Sequence, residues 1–137
     1  ELECDMVSGK VAVKDLPREW NERFEAYLGV TPPNDKVGVL QDVHWSGGMI
    51  GYFPTYALGN LLSVQYFNAA LKQHPNLRDE FAQGKFDTLR NWLVENIHRH
   101  GRKFTSQELT ERIAGGPIDP APYVEYLQNK YGDVYGL

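Results

Sequence analysis

No helix can run through residues 30–51, and this break constrains the chain more than any other feature. Thr31-Pro32-Pro33-Asn34-Asp35 opens it with two adjacent prolines, which remove backbone donors and clash with a preceding helical turn. Gly38, Gly47, Gly48 and Gly51 follow. A loop of this length inside a compact domain is usually functional, and 30–51 is read here as a functional loop. It carries Gln41-Asp42-Val43-His44-Trp45 and runs directly into Gly51-Tyr52-Phe53-Pro54-Thr55-Tyr56. A loop histidine and two tyrosines at a helix start can converge on one point.

The rest of the chain has helical spacing. Residues 1–8 read as the last turns of a helix, stopped near Ser8-Gly9. Val11 to Lys14 is a short link. Asp15-Leu16-Pro17 offers a cap-like acid and a first-turn proline. Trp20, Phe24, Tyr27 and Leu28 follow at helical spacing to a stop at Gly29. Pro54 starts a helix running to about Gln73, and Pro75 ends it. Asn76–Gln83 is a short helix. Phe86–His98 is another, with Phe86, Leu89, Leu93 and Ile97 on one face and Trp92 flanking. Thr105-Ser106-Gln107-Glu108 fits a capping box, and Gly115-Gly116-Pro117 ends that helix. The last helix starts near Asp119-Pro120. The fold class is all-α, and residues 1–137 read as a single α-helical segment.

Composition narrows the function classes. Net charge is −4, and no basic stripe marks a nucleic-acid binder. No apolar run approaches membrane-spanning length, and the start lacks the features of a signal peptide. The single Cys4 excludes an internal disulfide and a multi-cysteine metal site. A lone thiol is read as a small buried residue and fits a cytoplasmic setting. No His-Glu-x-x-His occurs, so no metal ligand is assigned. His74, His98 and His100 sit at helix ends, where a cation meets the helix dipole favourably.

His44 is the leading catalytic candidate, and Asp42 either orients its imidazole or caps a turn. Tyr52 and Tyr56 are candidate donors to a developing oxyanion; the competing reading makes both core aromatics with satisfied hydroxyls. Gly59 and Asn60 carry a propensity cost inside a helix. Gly59 suits close helix packing, and Asn60 a hydrogen bond across such an interface.

Gly38-Val39-Leu40-Gln41-Asp42-Val43-His44-Trp45 matches Gly-x-x-Gln-Asp-x-His-Trp, and Gly51 through Asn60 matches Gly-Tyr-Phe-Pro-Thr-Tyr-x-x-Gly-Asn. Both resemble signatures of the carboxypeptidase Taq family, the thermostable zinc carboxypeptidases. The resemblance covers most of the chain, from Leu16-Pro17 to Tyr131-Gly132. It implies the C-terminal part of a larger, mainly helical metallopeptidase fold, with Glu1 to Val7 the remnant of an arginine-bearing helix. It implies zinc, or another divalent metal, held by ligands outside this chain, which on its own is then expected to be inactive. It implies a peptide C-terminus as substrate, the N-terminal remainder of the same polypeptide as partner, and a homo-oligomer. His44 and one of Tyr52 or Tyr56 would hold the substrate or stabilise the oxyanion. Tyr52 is preferred because it resembles a tyrosine preceding the corresponding helix in related zinc dipeptidases. Gln41, Asp42, Trp45, Gly51 and Asn60 would support them. The alternative is a non-catalytic α-helical interaction module that retains the motif.

Overall fold

The computed structural model describes residues 1–137 and contains seven α-helices and no strands. They are Leu2–Val7 (α1), Leu16–Leu28 (α2), Pro54–Gln73 (α3), Leu77–Ala82 (α4), Asp87–Asn96 (α5), Ser106–Ala114 (α6) and Ala121–Tyr135 (α7). The chain divides into two compact units, Glu1–Tyr56 and Ala57–Leu137.

In the first unit α1 is pinned to α2 by charge. The Arg23 guanidinium donates to the Asp5 carboxylate at 2.6 Å, and Lys10 reaches the same carboxylate at 3.1 Å. These contacts, Arg23 first, hold the Asp5 carboxyl below its ordinary value. Trp20 and Phe24, one helical turn apart, stack at 6.3 Å between ring centroids. Gly29 ends α2 with φ +71° and donates to the Glu25 carbonyl at 2.8 Å, the left-handed cap that glycine adopts without strain. Asp15 precedes α2 but makes no side-chain cap bond. A 3-10 turn over Val13–Asp15 supplies the entry instead, and Pro17 lacks an N–H that would need capping.

The long loop is ordered by single 3-10 turns at Asp35–Val37, Val39–Gln41 and Trp45–Gly47. A side chain at Gly38 would meet the Asn34 carbonyl oxygen and the Pro32 Cβ at 3.2 Å, so a larger residue there would push this close-packed part of the loop apart by a few tenths of an ångström. Cys4 is exposed on α1, contrary to the buried reading; a six-residue helix with no buried residue offers no interior to hold it.

The second unit has its own core. Ala69, Ala70, Leu77 and Trp92 are buried, with Tyr66, Phe81, Leu89, Leu93 and Ile97 packed around them. Trp92 is central rather than flanking, because its indole N–H finds the Gln73 side-chain oxygen at 2.9 Å and can then be buried without an orphaned donor. Phe86 is instead exposed and stacks on Phe81 at 5.4 Å. Gln65 is buried with both ends of its amide used: it donates to the Pro117 carbonyl at 3.1 Å and accepts from the Asp119 N–H at 3.0 Å. That pair fixes the turn between α6 and α7 against α3. Thr110 is buried and pairs with the Tyr66 hydroxyl at 2.8 Å. Gly59 has open space at its Cβ position.

The Leu77 side chain is fully buried, so Leu77→Ala should cost about 2–5 kcal/mol. Val124→Ala, at an exposed position, should cost under about 0.5 kcal/mol. Urea unfolding of both variants checks this, and equal effects would dismiss the assigned core.

The capping box of α6 forms as expected, with Thr105 accepting from the Glu108 N–H and donating to its carboxylate. Backbone and hydroxyl bonds from Thr105 hold the Glu108 carboxyl below its ordinary value of 4.5. A folded value below the unfolded one means stability that is present above the ordinary value. It is lost as pH falls through the lowered one. Thr105→Ala keeps the backbone bond, the larger cause, and removes the hydroxyl bond, so the Glu108 carboxyl should move part of the way back toward 4.5, read by carboxyl carbon NMR across an acid titration; an unchanged midpoint would show that the hydroxyl bond does not form.

Candidate active site

The first unit brings His44, Asp42, Tyr52, Phe53 and Tyr56 together. The 3-10 turn after His44 folds the chain back, with the His44 carbonyl accepting from the Gly47 N–H at 3.0 Å and the Met49 N–H at 2.9 Å. Tyr52 and Phe53 precede α3, and Pro54 starts it, so Tyr56 falls in its first turn. The Tyr56 N–H donates to the Phe53 carbonyl at 3.2 Å. Three aromatic rings therefore surround the imidazole, with centroids 5.6 Å (Tyr52), 5.2 Å (Phe53) and 5.6 Å (Tyr56) from it.

Asp42 fills both roles that its position allowed. One oxygen, Oδ1, accepts from the His44 backbone N–H and stands 3.0 Å from the imidazole Nδ1. It closes a local turn and orients the ring at once. Asp42 and His44 are buried, His44 at 8% exposure. The carboxylate accepts the Nδ1–H, which leaves Nε2 facing the Tyr56 hydroxyl at 3.4 Å. In the neutral ring Nε2 accepts from Tyr56; in the imidazolium it donates. Tyr52 and Tyr56 are 47% and 53% exposed, so within this unit neither is a buried core aromatic.

The supporting residues divide. Gln41 donates from its side chain to the Lys36 carbonyl at 2.6 Å and braces the loop rather than the imidazole. The Trp45 indole N–H donates to Glu3 at 2.9 Å and the Gly51 N–H to the same carboxylate at 2.7 Å. Gly51 has φ +77°, a left-handed backbone that favours glycine. Asn60 lies in the second unit, exposed on α3, its carbonyl accepting from the Ser63 hydroxyl at 2.8 Å. Sequence reasoning missed Glu3 and Phe53. Phe53 had a signal, its place between Tyr52 and Pro54. Glu3 had none.

An apolar cleft of about 440 Å³ opens beside Asp42 and Trp45, lined by Leu2, Trp20, Phe24, Tyr27, Leu28 and Phe53. The Trp20 indole N–H is buried without a partner. No three His, Cys, Asp or Glu side chains converge as metal ligands; Asp42 and His44 form a hydrogen-bonded dyad. No helix is long and apolar enough to cross a membrane.

The family model for Carboxypeptidase Taq (M32) metallopeptidase matches residues 1–131. Thermostable carboxypeptidase 1 of Thermus thermophilus is 42% identical over 136 residues, which is 99% of this chain and 27% of that protein. Carboxypeptidase 1 of Bacillus subtilis is 38% identical over 137 residues, 100% of this chain and 27% of that protein. The crystal structure of the M32 carboxypeptidase from Deinococcus radiodurans R1 superposes with a TM-score of 0.91 at 46% identity, covering 99% of this chain and 28% of that one. The chain thus spans about a quarter of the length of the relatives it matches.

The dyad makes a prediction that does not depend on activity. Asp42→Asn keeps an oxygen on Nδ1–H, so His44 should stay in the Nδ1–H tautomer. Asp42→Ala removes the acceptor and should shift the neutral ring toward Nε2–H. Nitrogen-15 NMR of labelled histidine reads both, and an Asp42→Ala spectrum identical to the parent's would remove Asp42 from the role of orienter.

Proposed function

The chain belongs to the Carboxypeptidase Taq (M32) metallopeptidase family, and from that premise we propose that it forms the C-terminal part of a metallocarboxypeptidase that removes C-terminal residues from peptides. Its contribution is the substrate-binding, oxyanion-stabilising side of the active site. The observation that carries this is the Asp42–His44–Tyr56 chain of hydrogen bonds, with Tyr52 against the same imidazole. A buried polar dyad beside partly exposed phenols is poor packing and good preorganisation: the donors are oriented before the charge develops. Zinc, or another divalent metal, would be held by ligands outside this chain, since the residues present assemble no metal site.

His44 as imidazolium donates from Nε2, and a phenol donates from its hydroxyl. Either bond strengthens as a carbonyl oxygen gains charge in the tetrahedral intermediate, which is the difference that raises turnover. Trp45, Gly51 and Gln41 hold the loop that carries these groups.

The partners follow from the same reading. Tyr27, Leu28, Leu40, Ile50 and Phe53 are large apolar side chains exposed in the first unit, and the cleft between α1 and α2 is apolar. The N-terminal remainder of the polypeptide is proposed to cover this surface, in a cytoplasmic homo-oligomer.

In the full-length enzyme, His44→Ala and Tyr52→Phe should each lower kcat by about 10²–10³ while melting temperature and metal content stay near the parent's. Tyr56→Phe is the internal comparison. A packing role predicts the reverse, lost stability with normal turnover per folded molecule. Turnover of a blocked dipeptide within a few-fold of the parent in both variants would remove the oxyanion role and make this segment scaffold.

A further inference from the structure

The glycine-rich turn between Trp45 and Gly51 joins the two halves of the candidate site, His44 on one side and Tyr52 on the other. Its own backbone bonds are few: the Gly47 and Met49 N–H groups on the His44 carbonyl, and Gly48 on the Trp45 carbonyl. All five of its residues, Ser46 to Ile50, are exposed. None of these bonds spans the turn from Trp45 to Gly51. A carboxylate from elsewhere does. Glu3 Oε2 accepts from the Trp45 indole at 2.9 Å, and Glu3 Oε1 accepts from the Gly51 amide at 2.7 Å. One rigid, planar group therefore holds both ends of the turn, each one residue away from a site side chain.

We propose that Glu3 is a positioning residue for the reaction, setting the separation of His44 and Tyr52 through Trp45 and Gly51; this rests on the functional reading above. The chemistry is specific to a carboxylate. Both partners are N–H donors, so both Glu3 atoms must accept. A glutamine of the same shape offers one acceptor and one NH₂, and the NH₂ faces a donor. Glu3→Gln must therefore release either Trp45 or Gly51 while filling the same volume. Glu3 also stands apart from the ion pairs that join α1 to α2, which run through Asp5, Arg23 and Lys10. Loss of its charge leaves that helix contact in place.

The test uses the full-length polypeptide labelled with nitrogen-15 tryptophan, with the Trp45 indole signal assigned by Trp45→Phe. Glu3→Gln and Glu3→Ala are compared with the parent for that signal, for melting temperature, and for kcat and KM on a blocked dipeptide. The expected result is an upfield move of the Trp45 indole proton, a kcat lowered by about ten- to 10²-fold, KM within about threefold, and a melting temperature near the parent's. Glu3→Asp should recover part of the lost kcat, because it restores an all-acceptor group. An unmoved indole signal overturns the clamp. A kcat within twofold of the parent, in a background where His44→Ala is damaging, overturns the positioning role. A loss of kcat that only tracks a loss of folded protein does the same. If His44→Ala is itself harmless, the functional reading has failed, and the indole signal alone then decides whether the clamp exists.

Discussion

Glu3 precedes Trp45 by 42 residues and Gly51 by 48, and its two oxygens nevertheless bind both. The two ends of the turn through residues 45–51 meet at that one carboxylate, which is the long-range tie of the candidate site. A turn rich in glycine has many conformations to lose, and its short internal bonds select a family of shapes rather than one. The carboxylate removes the remaining freedom by holding the indole on one side and the amide on the other. It can do so because α1 is itself fixed to α2 by Asp5 and Arg23. The chain of contacts runs from the ion pair, to α1, to Glu3, to the turn beside the imidazole.

The two units solve the packing problem differently. The second buries Leu77, Ala69, Ala70 and Trp92 against one another and satisfies its buried polar groups in pairs: Trp92 with Gln73, Tyr66 with Thr110, Gln65 with the α6–α7 turn. Every such pair allows a polar atom inside without the cost of leaving it unmade. The first unit has little of this. Its buried hydrophobic residues are Leu16 and Val39, its aromatic side chains line an open cleft, and the Trp20 indole N–H has no acceptor. Order there rests on charged and polar ties. The candidate active site falls in the unit built from directional bonds, which is where geometry can be set most finely.

Local physics was legible in the sequence and long-range pairing was not. Helix ends were readable because their causes sit within four residues: Pro54 at a start, Gly29 and Gly115 at stops, Thr105 with Glu108 as a box. The all-α class followed from the same spacing. Trp92 was misplaced because the apolar stripe alone cannot reveal that Gln73 waits to accept its N–H. Cys4 was misplaced because composition says how often cysteine is buried, not whether α1 has an inside. Asp15 looked like a cap, but a 3-10 turn took the entry to α2. Of the candidate site, the cluster of His44, Asp42, Tyr52 and Tyr56 was visible in one continuous stretch. The parts that position it were not, because Glu3 differs from any other solvated helix acid only through where the chain returns.

The hydrogen-bond directions also divide labour between the tyrosines. With Nδ1–H spent on Asp42, the neutral imidazole can only accept at Nε2, and Tyr56 is the residue that faces it, at 3.4 Å. That distance is longer than a strong O–H···N bond, so the contact is weak and its proton easily redirected. Tyr52 meets His44 ring to ring, 5.6 Å between centroids and 30° between planes, and its hydroxyl is not spent on the imidazole. A phenol already engaged must break a bond before it can serve a new oxyanion; an uncommitted one need not. Preorganised donors gain their advantage by needing no rearrangement when charge appears. The geometry therefore separates the two by placement: Tyr56 faces the imidazole Nε2, and the Tyr52 hydroxyl is not spent on it. The proline between them makes that separation possible, since it starts α3 between Tyr52 and Tyr56. One tyrosine is left on the loop that Glu3 holds and the other on the helix.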